Sequence, residues 1–429
     1  MRDTTWCMVA CAVTFSLPNP LSGQDPILRA PGVREYVRQV LVGNAGYAAA
    51  RSRVAAAGER IAPAGALPDP TLTLGVLAVP TPSFDFTAER MTRLPIGFRQ
   101  HFPFPGKQAA ATDRARADSA VAGESLVAIE ARLVAEAAGV YYGLAYAEAA
   151  VRIWRSRVVL ADQAIAVAQT RYETGAAPQT DLLRARLRRA QLEEEGWDLE
   201  AAVAQVRAHA DALRGGAGDT IAALVLVNPD GRPAVEIRND TLAAERLIVQ
   251  LTERSPGLRV ATATVTRAER NARVFDIAGR PDFTVALESG IRFGGRQPFL
   301  TALVGISVPL WSKRKQAPAA RAAHYDVEAA RRQHDDLLAR LIGELQDRLA
   351  ELGALQARTG QTADEIIPLA GAASTSALQR YQVGAVEFTT VLDTQDDMFG
   401  AQLRLARLIA EYGTARAHLA ALVGEEWYR

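Results

Sequence analysis

Arg171-Tyr172-Glu173-Thr174-Gly175-Ala176-Ala177-Pro178 returns 209 residues later as Arg380-Tyr381-Gln382-Val383-Gly384-Ala385. Two further stretches recur in the same order. Leu67-Pro68-Asp69-Pro70 is answered 213 residues on by Arg280-Pro281-Asp282-Phe283, and Phe102-Pro103-Phe104-Pro105-Gly106-Lys107 is answered 206 residues on by Val308-Pro309-Leu310-Trp311-Ser312-Lys313. Each match alone is weak, but the shared order and similar offsets identify a duplicated module with small loop differences. The first repeat is assigned to residues 24–214 and the second to 240–429. Between them, 215–239 reads as an irregular connector, punctuated by Gly215-Gly216-Ala217-Gly218 and Asn228-Pro229-Asp230-Gly231.

Between the first two motifs of each repeat the apolar residues alternate. Residues 71–79 place Leu72, Leu74 and Val76 on one face and Thr71, Thr73 and Gly75 on the other; 94–104 set Leu94, Ile96, Phe98 and Phe102 against Gly97, Arg99 and His101. In the second repeat, 283–293 oppose Phe283, Val285, Leu287 and Ile291 to Glu288, Gly290 and Arg292, and 300–310 oppose Leu300, Val304, Ile306 and Val308 to Thr301, Gly305 and Ser307. A period of two marks strands, and about 9–11 residues is the length of a tilted membrane-spanning strand. Arg99, His101, Glu288 and Arg292 share their face with small residues, as a wet barrel lumen requires. Four strands cannot close a barrel by themselves, because an open edge in lipid leaves unpaired backbone groups. Several chains must therefore share one barrel.

The rest of each repeat reads as long helix. From Lys107 to Arg171 there is no proline, and alanine, leucine, arginine and glutamate dominate. At ~1.5 Å per residue such a helix reaches about 100 Å. Gly175 stops it, Pro178 opens a returning helix, and the helical hairpin spans 107–214. A second hairpin spans 313–423 and turns at Gly384, with Pro368 predicting a kink or break. Shorter helices are expected at 33–62 and 257–278. Such alanine-rich helices must pack against neighbours in coiled-coil fashion.

Composition narrows the function. There are 429 residues, with 49 Lys+Arg against 48 Asp+Glu, so there is no basic excess for nucleic acid. Residues 1–23 read as a signal peptide: Arg2, then a mostly apolar stretch from Trp6 to Leu17 too short to span a bilayer. Cleavage after Gly23 and lipid processing at Cys11 both remain open. The two cysteines, Cys7 and Cys11, fall within this segment, so no disulfide or cysteine metal site is expected beyond it. The five histidines are scattered, and no nucleophile elbow, phosphate loop or dinucleotide fingerprint occurs. No enzyme, cofactor or resident metal is expected.

Helix, strand pair, long helix, Tyr-x-x-Gly turn and returning helix, twice over, resemble the TolC-like outer membrane efflux protein family. The residues carrying the resemblance are Leu67 to Pro70, Gln100 to Lys107, Tyr172-x-x-Gly175 with Asp181-Leu182-Leu183, Val308 to Trp311, and Tyr381-x-x-Gly384 through Val391-Leu392-Asp393. The Phe-Pro-Phe-Pro-Gly-Lys form looks closest to members serving heavy-metal efflux. The resemblance implies a mainly α fold with transmembrane β: a homotrimer sharing a twelve-stranded barrel, embedded in outer membrane lipid and continued by a periplasmic helical tunnel. It implies as partners a periplasmic adaptor (membrane fusion) protein and an inner-membrane efflux pump of the resistance-nodulation-division type. It also places Gly175, Pro178 and Gly384 at adaptor-docking hairpin tips, and Tyr172 and Tyr381 at the gate. In the family, acids nine and twelve residues after this tyrosine constrict the entrance. Here those positions hold Thr390 and Asp393 after Tyr381, and Asp181 and Arg184 after Tyr172. Asp393, Asp396 and Asp397 share one helix face, and around a threefold axis each carboxylate becomes a cation-favouring ring. The competing reading is a soluble periplasmic coiled-coil adaptor.

Overall fold

The computed structural model describes residues 27, 28, 30–81, 84–216, 218, 221–228, 230–235 and 244–429. The expected signal peptide, 1–23, lies outside the described residues. The chain runs α1 (Pro31–Gly43), α2 (Ala45–Glu59), α3 (Ile61–Gly65), β1 (Thr71–Leu74), β2 (Arg93–Phe102), α4 (Lys107–Glu173) and α5 (Gln179–Leu213). It continues with α6 (Ala244–Arg254), α7 (Pro256–Ala278), β3 (Asp282–Arg292), β4 (Phe299–Ser307), α8 (Gln316–Gln361), a π-helical turn (Thr362–Ile366), α9 (Ile367–Gln382) and α10 (Phe388–Val423). Each repeat thus folds as helices, two strands and a helical hairpin.

The strands form one antiparallel sheet in chain order, β1-β2-β3-β4. Register puts Leu72, Phe98, Leu287 and Ala302 side by side on one face, and Thr73, Gly97, Glu288 and Thr301 on the other. The apolar face is exposed along the sheet: Val304 is 75% and Leu72 74% accessible. Strand ends differ from the sequence expectation. β1 stops at Leu74 rather than 79: the Gly75 N–H still donates to the Pro95 carbonyl at 3.3 Å, but Pro95 has no N–H to return the bond, and an isolated bridge, Leu77 to Arg93, is the last pairing before Ala78 turns to φ +58°. β2 ends at Phe102 rather than 104 and β4 at Ser307 rather than 310, ahead of Pro103 and Pro309, which have no N–H for a ladder.

The helix expected over 33–62 is broken twice. Asn44 caps α2, accepting from the Tyr47 N–H at 2.9 Å and donating to the Leu213 carbonyl at 2.9 Å. A second break falls at Arg60, where α2 gives way to α3. The kink expected at Pro368 is a π turn, where the Ile367 N–H reaches back to the Thr362 carbonyl. α8 begins at Gln316, three residues later than the expected 313. α6 was not foreseen; its buried Leu247 and Leu251 are four apart, one face of a short amphipathic helix.

α4 is the spine, flanked by α5, α7 and α10, while α8 packs on α7 and α10. Alanines such as Ala137, Ala138, Ala145, Ala406, Ala417 and Ala420 are fully buried and let these helices approach closely. The main core lies midway along the helices, around Tyr36, Tyr141, Tyr142, Leu345, Leu405 and Ile409. The C-terminus is tied onto it: Glu130 accepts from Tyr428 Oη at 2.7 Å, Tyr47 Oη at 2.8 Å and Arg429 at 3.2 Å. Burial alone would raise the Glu130 carboxyl, but these three donors outweigh it and hold it below its ordinary value. This support is complete above the unfolded carboxylate range, near pH ~4.3, and is lost as pH falls through the lower folded value. Acid titration is therefore expected to shift Trp427 emission, since Trp427 is buried beside Tyr428. Glu130→Gln should abolish the transition; a transition left unchanged in that variant would assign it to another carboxylate.

Candidate functional site

Both glycine turns stand at the helix ends remote from the sheet. Each is closed by the same pair of backbone bonds: Ala176 N–H to the Arg171 carbonyl (2.8 Å) and Gly175 N–H to Tyr172 (3.0 Å), matched by Ala385 to Arg380 (2.8 Å) and Gly384 to Tyr381 (3.0 Å). Gly175 and Gly384 take φ +70° and +76°, the left-handed region that ends a helix. Pro178 and Glu387 then precede α5 and α10 at extended ψ.

The two turns are locked together through Tyr381. Its ring is buried against Phe388 at 5.2 Å between centroids, in a cluster with Ala164, Ala168, Ala185 and Val391. Its hydroxyl donates to Asp181 Oδ2 at 3.1 Å. The Arg171 guanidinium lies over the ring at 4.6 Å, donating to the Tyr381 carbonyl and to the Ala176 carbonyl at 2.9 Å. Burial, together with the facing Asp181 carboxylate, pushes the Tyr381 phenol up to about 12, so it is a donor throughout the physiological range. Tyr172, the repeat-related residue, is exposed, as are Gly175, Pro178, Gly384 and Thr390. Tyr381 therefore packs within the chain, whereas Tyr172 projects outward.

The three acids of α10 separate. Asp396 is held between Arg157 (2.7 Å) on α4 and Arg188 (2.6 Å) on α5, and both arginines also reach Glu195, at 3.0 and 3.3 Å. Asp396 therefore serves as a cross-link among three helices. Asp393 and Asp397 are exposed and form no ion pair among the described residues.

In the sheet, Glu288 pairs with Arg93 at 3.5 Å. Arg93 and Arg292 sit directly opposite one another and both lie over the Phe299 ring, at 5.1 and 5.9 Å. The ring face and Glu288 offset the repulsion of these two cations. At the other end of the sheet His101 Nε2 stands 3.7 Å from Asp282, while Arg99 is exposed opposite Ala286. Arg171, Phe388, Arg157, Arg188 and Arg93 were not anticipated. For Arg171 a signal existed, since arginine precedes the tyrosine in both repeats.

Among the described residues no cluster of three or more His, Cys, Asp or Glu could hold a metal, and no helix is long and apolar enough to cross a membrane. The family pattern described as outer membrane efflux protein matches residues 36–216 and 247–425. No curated relative matches the chain. Among solved structures, the fold is similar to the outer-membrane channel OprN (18% identity, 94% of this chain and 92% of that one, TM-score 0.77). It is also similar to CusC, whose structures concern folding and transmembrane channel formation (18%, 92% and 92%, 0.77), and to the outer membrane protein VceC from Vibrio cholerae (20%, 91% and 96%, 0.74). The family match falls in two stretches of similar length, one in each half of the chain, and the fold joins a sheet apolar on one face to helices running far from it. The chain belongs to the outer membrane efflux protein family, whose channels extend from the outer membrane into the periplasm and work with periplasmic adaptors and inner-membrane pumps.

Proposed function

We propose that three copies of this chain close a twelve-stranded barrel and continue it as a helical duct, with an inner-membrane pump of the resistance-nodulation-division type feeding it through an adaptor docked on the hairpin tips at Gly175, Pro178 and Gly384. The carrying observation is a four-stranded sheet with both edges open and an exposed apolar face, which lipid tolerates only if other strands pair those edges. The duct passes cargo down a gradient made elsewhere and performs no catalysis. A soluble adaptor has no use for this sheet, and that reading is set aside.

Heavy-metal cations are the proposed cargo. Asp393 and Asp397, exposed near the tips, supply rings of negative charge at the entrance; Tyr381, Asp181 and Arg171 hold it narrow. Glu288, Arg292, Arg99 and His101 line the barrel. Asp393→Ala is expected to lower the cation-over-anion permeability ratio of channels reconstituted in planar bilayers. Asp396→Ala should leave that ratio unchanged and cost about 1–2 kcal/mol of stability, the screened end of the range for charge-assisted hydrogen bonds. An unchanged ratio in Asp393→Ala would remove that residue from the entrance.

A further inference from the structure

Where β2 passes into α4, one carboxylate gathers the junction. Asp282, the first residue of β3, accepts from the Phe104 N–H at 2.7 Å and from Lys107 Nζ at 2.8 Å, and Lys107 Nζ also donates to the Arg280 carbonyl at 2.7 Å. The pair is about four-fifths buried. The clamp thus joins the exit of one strand to the start of its neighbour.

The duplication supplies every part of a second clamp within the same chain. Lys313 stands where Lys107 does, Leu310 where Phe104 does, Asp69 where Asp282 does, and Leu67 where Arg280 does. These parts lie on opposite edges of the sheet, Asp69 just before β1 and Lys313 after β4, and so cannot meet within one chain. Accordingly, Asp69 and Lys313 are exposed and form no ion pair among the described residues. The Leu310 N–H turns back onto the Val308 carbonyl at 2.9 Å, and α8 starts only at Gln316, whereas α4 starts directly at Lys107.

We propose that Asp69 of one copy and Lys313 of the next form this second clamp, closing the barrel between subunits in a geometry copied from the Asp282–Lys107 junction inside each chain. The occupant of the open edge is a second copy, because this chain carries the complementary half of the motif on its other edge. Carrying the β2–β3 register across the repeat pairs Thr71 with Ser307, Leu72 with Ile306, Thr73 with Gly305 and Leu74 with Val304. That register is self-consistent. Leu72 and Ile306 both belong to the apolar face, and Thr73 and Gly305 to the small polar one, whereas a slip of one residue would set each against the wrong face.

The clamp rests on the shared-barrel reading, and its test separates the two. Detergent-extracted wild type, Asp69→Lys, Lys313→Asp and the double exchange are compared by native mass and by the temperature at which the oligomer dissociates. Each single exchange is expected to lower that temperature by several degrees, because like charges then face across the junction, and the double exchange to restore most of it. In a second arm, Thr71→Cys/Ser307→Cys should give covalently linked subunits on oxidation, unlike either single variant, since directly opposed residues lie within disulfide reach. A trimer whose dissociation temperature ignores the single exchanges, or is not restored by the double, overturns the clamp while leaving the shared barrel intact. No covalent linkage through the cysteine pair overturns the register. A monomeric wild type overturns barrel and clamp together.

Discussion

Tyr381→Ala is expected to raise single-channel conductance several-fold and to destabilise the helix tips by roughly 3–5 kcal/mol, the range for deleting a buried aromatic side chain. Three attachments disappear at once: the ring contact with Phe388, the hydroxyl bond to Asp181 and the surface on which Arg171 lies. These contacts join α9 and the second turn to the first turn and α5, so their loss frees one hairpin from the other. Tyr381→Phe separates the contributions. It keeps ring packing and the arginine contact but leaves Asp181 without its donor, and an intermediate conductance is expected. Conductance equal to wild type in both variants would remove Tyr381 from any gate and leave it a packing residue only.

Arg416→Met is expected to cost roughly 3–5 kcal/mol, because it strands the Glu425 carboxylate in the core. The two side chains pair at 3.0 Å and are 4% and 1% accessible, where the end of α10 turns back on itself beside Gly424. Arg416→Met/Glu425→Leu should recover most of that loss, since an apolar pair of similar volume removes both desolvation penalties together. Thermal or chemical unfolding of the two single variants and the double variant gives the coupling directly. Strict additivity would mean that the pair contributes nothing as a pair.

Local pattern revealed those features that depend on local physics. The glycine turns, the strand alternation and the long α4 each follow from the stereochemistry or periodicity of neighbouring residues, and the duplication made the order of elements legible twice. The expectation failed where distant residues intervene. The break at Asn44 carries a local signal, a capping side chain that takes the Tyr47 N–H, but its second anchor, the Leu213 carbonyl 169 positions away, is encoded by no local periodicity. Asp396 shares a face with Asp393 and Asp397, but its role depends on the rotation of α4 and α5, which bring Arg157 and Arg188 to it. Likewise the equivalent tyrosines look interchangeable in sequence. Only Tyr381 finds Asp181 and Arg171 within its own chain. The strand ends ran too far because alternation continues through residues 75–79, where Pro95 cannot return the bond it accepts from Gly75 and Ala78 turns to φ +58°.

The decisive experiment weighs the particle and listens to it: native mass spectrometry of protein extracted in detergent, followed by single-channel recording of the same fraction in a planar bilayer. A mass of three chains, with discrete conductance steps that disappear when the oligomer is dissociated, is the expected result. A single-chain mass without detergent dependence, or a three-chain particle that passes no current even with Tyr381 replaced by alanine, would refute a shared barrel continued as a duct.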